Sequence, residues 1–123
     1  MLNEFSRTEL LLGQDGMKML KSSSVAIFGV GGVGSYIAEA LARCGVGNLT
    51  LIDNDEVTIT NLNRQLIALH STIGKKKVYV AKERILDINP NANVVALDCF
   101  YTGSEIDLSG LDYIADAIDT VSF

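Results

Sequence analysis

The chain has 123 residues, 48% of them apolar and 20% charged, with a formal net charge of −5. That suits one ordered domain with a real core, is too short for two, and excludes a disordered chain. The acidic balance argues against a nucleic-acid surface built from these residues, and every apolar run falls short of the roughly 18 residues that span a bilayer. The opening MLNEFSRTELLL is no secretion signal, and Cys44 and Cys99 form neither a CxxC pair nor a zinc signature, so a cytoplasmic location is expected.

In chain order, Ser6-Arg7-Thr8-Glu9 fits an S-x-x-E capping box and opens a helix that stops at Gly13. A second short helix is expected over Met17–Lys21, and the serines at 22–24 form a turn. Val25–Phe28 is a short apolar run of the kind buried on both faces of a parallel sheet. The glycines of FGVGGVGSY come next, then a helix over Ser35–Cys44, with Ile37, Ala38, Leu41 and Ala42 at helical spacing and Gly45 closing it. Cys44 is expected to pack. Leu49–Ile52 is a second strand ending at Asp53, and 54–71 is irregular or short helix. A longer helix runs from Lys75 to Ile88 and stops at Asn89-Pro90. Val94–Leu97 and Tyr113–Ile118 are two further strands, the last delivering Asp119.

Strands alternating with helices define an α/β class: the first half of a doubly wound, Rossmann-like parallel sheet, preceded by an N-terminal helical segment. The segment covers 1–24 and the sheet unit 25–123. Because the chain ends just past a strand, we expect a longer protein that completes the sheet, with residues 1–123 inactive alone.

Gly29, Gly31 and Gly34 match G-x-G-x-x-G, with Gly32 as an extra glycine. After a buried strand and before a helix, such glycines let backbone N–H groups and a helix N-terminus approach a phosphate chain. Asp53, at the end of the next strand, suits ribose hydroxyls. Asp55, Asn61, Arg64, Gln65, Lys77 and Asp119 also fall at strand ends or helix starts, the sheet edge where ligands sit. Cations, amides and carboxylates in that combination suit a triphosphate with Mg²⁺ better than an intact pyrophosphate. Plainer readings stand beside this one. Asp55 and Asn61 also suit helix caps, Arg64 a surface ion pair, Lys77 the solvated run Lys75-Lys76-Lys77, and Asp119 a turn.

With these residues in hand, the chain resembles the ubiquitin-activating-enzyme-like superfamily, whose members adenylate carboxylates. The resemblance implies ATP and Mg²⁺ as cofactors. Gly29, Gly31, Gly32, Gly34, Asp53, Asp55, Asn61, Arg64, Gln65 and Lys77 would surround the nucleotide. Arg64, Lys77 and Asp119 would be catalytic, with Asp119 on the metal. Arg7 would reach into the partner subunit's site of a homodimer. FSRTELLLG at Phe5–Gly13, Gly34-Ser35-Tyr36, TNLNRQ at Thr60–Gln65 and ALHSTIG at Ala68–Gly74 are similar to the branch that dehydrates threonylcarbamoyladenosine in tRNA. The sulfur-carrier branch commonly carries Arg-Gln in place of Arg7-Thr8 and SNLQRQ in place of TNLNRQ. The implied partners are tRNA, held by parts of the protein outside this segment, and a cysteine-desulfurase sulfur-relay protein. Three rivals remain: adenylation of a diglycine-ended sulfur carrier, a nicotinamide-dependent oxidoreductase, and a non-catalytic nucleotide-binding or dimerisation module.

Overall fold

The computed structural model describes residues 2–104 and 106–118. Four strands form one sheet: β1 (Ser24–Phe28), β2 (Asn48–Asp53), β3 (Asn93–Asp98) and β4 (Tyr113–Asp116). Their spatial order is β3-β2-β1-β4, and every pairing is parallel. The apolar run of β1 takes the most enclosed place, with Ala26 and Ile27 fully buried. β4 ends two residues sooner than its apolar pattern suggests, although the Ala117 amide still donates to the Phe28 carbonyl at 2.7 Å.

Alternation along the strands sorts the core into two layers. Val25, Ile27, Leu49, Leu51 and Val94 face α2 (Gly34–Cys44) and α3 (Lys77–Ile88), which supply Ala38, Ala42, Val78, Ala81 and Ile85. Ala26, Phe28 and Ile52 face the other way, against Leu97, Cys99, Tyr101, Ile106 and Leu111. The β3–β4 connection covers this second face with irregular chain and a short 3₁₀ helix at Leu108–Gly110. Tyr101 stacks obliquely on Phe28, ring centroids 4.6 Å apart.

The N-terminal helix α1 (Ser6–Ser22) differs from expectation at its start. The S-x-x-E box at Ser6 and Glu9 does not form. Instead the Asn3 carboxamide accepts from the Phe5 amide, and Ser6 Oγ accepts from the Asn3 amide, each at 2.8 Å. These bonds form a side-chain-closed turn just ahead of the helix, whose N-cap position is Phe5 with no side-chain cap. At Gly13 the backbone turns to φ 76° and ψ 170°, which breaks α1 into two arms as the glycine suggested, the second arm longer than Met17–Lys21. Every residue of α1 keeps some exposure, and Leu10 and Leu11 are 86% and 87% exposed. Cys44, expected to pack, is exposed, because it ends α2 on the solvent side.

Helix α3 begins at Lys77 and not at Lys75. Residues 74–77 are first used in an antiparallel ribbon with 55–57: Gly74 N donates to Val57 O and Val57 N to Lys75 O, both at 2.8 Å. Glu39 of α2 then pairs with Arg84 of α3 and, 3.5 Å away, with Arg43 of its own helix. Among the described residues no helix is long and apolar enough to cross a membrane.

Candidate functional site

In this strand order the chain leaves β3 at one side and returns beside β1 as β4, so a crevice opens at the carboxyl ends of the strands. It forms a cavity of about 440 Å³, in the range of small-molecule sites. Residues after all four strands line it: Gly29, Gly31 and Gly32 after β1, Asp53–Asp55 at the end of β2, Cys99–Tyr101 after β3, and Ala117 and Ile118 after β4. The 3₁₀ helix Ile59–Asn63 and the segment after it contribute Asn61, Arg64 and Gln65, and the first residue of α3 contributes Lys77.

The glycine turn is tied to β2 by Asp53. One carboxylate oxygen accepts from the Val30 amide and the other from the Asp55 amide, both at 2.7 Å. Each oxygen keeps lone-pair capacity for a hydroxyl donor. Gly34 lies behind the turn and not in the cavity. A Cβ there would sit 1.7 Å from the Gly29 carbonyl oxygen, so this glycine lets α2 start directly against the turn. Gly31 meets the Gln65 side chain, and the space beside Gly32 is open.

Asn61 is buried and fulfils the capping reading while lining the cavity: its Oδ1 accepts from the Thr58 amide at 2.9 Å. Among the described residues Arg64 forms no ion pair. Its guanidinium donates to the Thr60 carbonyl and the Asn63 carboxamide at 3.1 and 3.0 Å. Lys77 is not a solvated lysine; its side chain is 7% exposed, with Nζ 3.8 Å from Asp55 Oδ2. Gln65 is buried, and its Oε1 has no hydrogen-bond partner among the described residues. A buried amide oxygen left unpaired carries a desolvation penalty unless a ligand or water meets it. The orphaned acceptor calls for a donor, while the cations Arg64 and Lys77 on the wall and the amide-lined turn suit an anion, so the cavity fits a polar ligand that carries both.

Arg7 is exposed on α1 and outside this cavity's lining, and Asp119 lies outside the described residues. Several wall residues were missed, among them Cys99, Phe100 and Tyr101. The position of these three directly after β3, on the same sheet edge as the others, was the available signal. His70 is exposed and away from the cavity.

The model of the ThiF family matches residues 5–123. The chain is 55% identical over 126 aligned residues to the tRNA threonylcarbamoyladenosine dehydratase of Bacillus subtilis (strain 168), covering 100% of this chain and 50% of that protein. It is 36% identical to the molybdopterin-synthase adenylyltransferase of Escherichia coli (strain K12), over 88% of this chain and 44% of that one. The crystal structure of the E. coli tRNA N6-threonylcarbamoyladenosine dehydratase in complex with ATP superposes with a TM-score of 0.91 at 42% identity, covering 96% of this chain and 50% of that chain. The chain thus spans about half the length of the curated relatives it matches. Matched by the family model along nearly its full length, this chain belongs to the ThiF family.

Proposed function

We propose that the cavity holds ATP and serves an enzyme that activates a carboxylate by adenylation, the carboxylate being that of threonylcarbamoyladenosine in tRNA. The observation that carries this reading is the convergence of the glycine turn, Asp53, Asn61, Arg64, Gln65 and Lys77 on one cavity at the carboxyl edge of the sheet. The relative solved with ATP and the dehydratase relatives support it.

In this reading Asp53 accepts from the ribose hydroxyls while holding the turn, and the amides at the start of α2 face the phosphates. Arg64 and Lys77 offset negative charge that grows on the phosphate oxygens as a substrate carboxylate oxygen attacks the α-phosphorus and pyrophosphate leaves. A carbamoyl atom of the same substrate then attacks the acyl carbon, releasing AMP and a proton and closing a ring. Tethering both reactants in one molecule removes most of the entropic cost of that step. Among the described residues no group of three or more His, Cys, Asp or Glu side chains could hold a metal by itself. Mg²⁺ binds largely through phosphate oxygens and one or two carboxylates. Asp119 is the carboxylate we assign to it, and Mg²⁺ when bound would neutralise phosphate charge.

We further propose a homodimer in which α1 packs on the second subunit and carries Arg7 to its site. The exposed Leu10 and Leu11 of α1 support this. With a net charge of −5 here, contacts to tRNA belong to other parts of the protein.

ATP–pyrophosphate exchange tests the reading. We expect exchange driven by threonylcarbamoyl-modified tRNA and none with a diglycine-ended carrier protein, and a loss of about a hundredfold on Arg64→Ala. Exchange driven only by the carrier protein would select the sulfur-carrier rival, and tight NADH binding without ATP competition the nicotinamide one.

A further inference from the structure

Lys77 and Asp55 are brought together by the main chain. The Lys77 amide donates to the Asp55 carbonyl at 3.0 Å, inside the ribbon of 55–57 with 74–77. The Asp55 amide is itself anchored on Asp53, which holds the glycine turn. Within this frame the two side chains are unlike. That of Lys77 is 7% exposed and that of Asp55 is 67% exposed, with Nζ and Oδ2 3.8 Å apart. At that separation the charges attract but form no hydrogen bond. The ammonium therefore keeps its donors for a ligand, and packing along the buried stem fixes where it points.

The carboxylate accordingly does not aim Lys77. It places a negative charge on the cavity wall beside the cation that phosphate would seek, and where the cavity meets a second depression lined also by Glu56, Thr58 and Lys76. Before a ligand enters, it spares a desolvated ammonium from standing alone. Once phosphates arrive, it competes with them for Lys77 and repels them. Resting on the ATP reading above, we propose that Asp55 is a counter-charge and not a nucleotide ligand: it weakens the grip on phosphates and so favours pyrophosphate release.

Asp55→Asn removes the charge and leaves the main-chain bonds in place. Calorimetric titration of the purified variant with inorganic pyrophosphate, ATP and adenosine separates the cases. We expect pyrophosphate and ATP to bind about fivefold tighter, a gain that shrinks in high salt, with adenosine unchanged. Pyrophosphate bound equally or more weakly, with adenosine unchanged, overturns the counter-charge role. Weakening of all three ligands overturns it too, by showing that Asp55 only keeps the loop in shape. Failure of the unsubstituted protein to take ATP at all would overturn the nucleotide reading, and this inference with it.

Discussion

At the scale of single residues, the glycines of FGVGGVGSY look interchangeable as letters and are not so in space. Gly29 has φ 89°, and an added Cβ would lie 2.6 Å from the Ala117 carbonyl oxygen. Gly34 would meet the Gly29 carbonyl at 1.7 Å, whereas Gly32 would meet nothing within 4 Å. Gly34→Ala must push α2 away from the turn, so we expect it to cost about 3 kcal/mol in urea unfolding. Gly32→Ala should change stability by less than about 0.5 kcal/mol. It should still lower ATP affinity, because its methyl group would occupy the space phosphate oxygens need. Equal stability losses in the two variants would contradict this division of labour. The glycines that shape the fold and those that leave room for a ligand are thus separate sets in one motif.

Between elements, the main polar link joining α2 to α3 is Glu39 with Arg84 and Arg43. The hydrogen bond from Arg84 holds the Glu39 carboxyl below its ordinary value of 4.5, against the opposing effect of burial and with help from both arginine charges. A carboxyl depressed on folding adds stability that is present above its unfolded value and is lost as pH falls through the folded one. Glu39→Gln should therefore cost about 0.5 to 1 kcal/mol at neutral pH. The difference from the unsubstituted protein should close in acid, below the ordinary glutamate range. Denaturation curves at neutral and acidic pH check this, and a penalty that persisted in acid would point to packing. The same helix pair carries Lys77 at its cavity end, so a loosened α2–α3 contact should also weaken nucleotide binding.

At the scale of the whole molecule, the strand order β3-β2-β1-β4 sends α2 and α3 to one face and an irregular connection to the other. That arrangement brings four strand ends to one crevice. It also leaves the first arm of α1 outside the core, with Leu10 and Leu11 facing solvent, while Leu20 of the second arm packs against the core. If α1 is the subunit contact, Leu10→Glu with Leu11→Glu should weaken the dimer at least about tenfold. Sedimentation velocity over a concentration series would show it, with the monomer's thermal unfolding unchanged. A dimer of undiminished strength would move the interface to another face, and with it the assignment of Arg7.

Much of this architecture was legible in the linear chain, because the signals are local. The apolar run Val25–Phe28, the spacing of Ile37, Ala38, Leu41 and Ala42, and the glycines between them depend on neighbours a few residues away. Asp53, Asn61, Arg64, Gln65 and Lys77 could be named from their places at strand ends and helix starts, since a parallel sheet collects such places on one edge. Other features needed the folded chain. The ribbon of 55–57 with 74–77 decides that Lys77 is buried beside Asp55 rather than solvated with Lys75 and Lys76. The path of the β3–β4 connection decides that Cys99, Phe100 and Tyr101 form a wall of the cavity. Residue spacing encodes which face of its own element a side chain takes, but contact between segments far apart in the chain exists only once the strands have chosen their order.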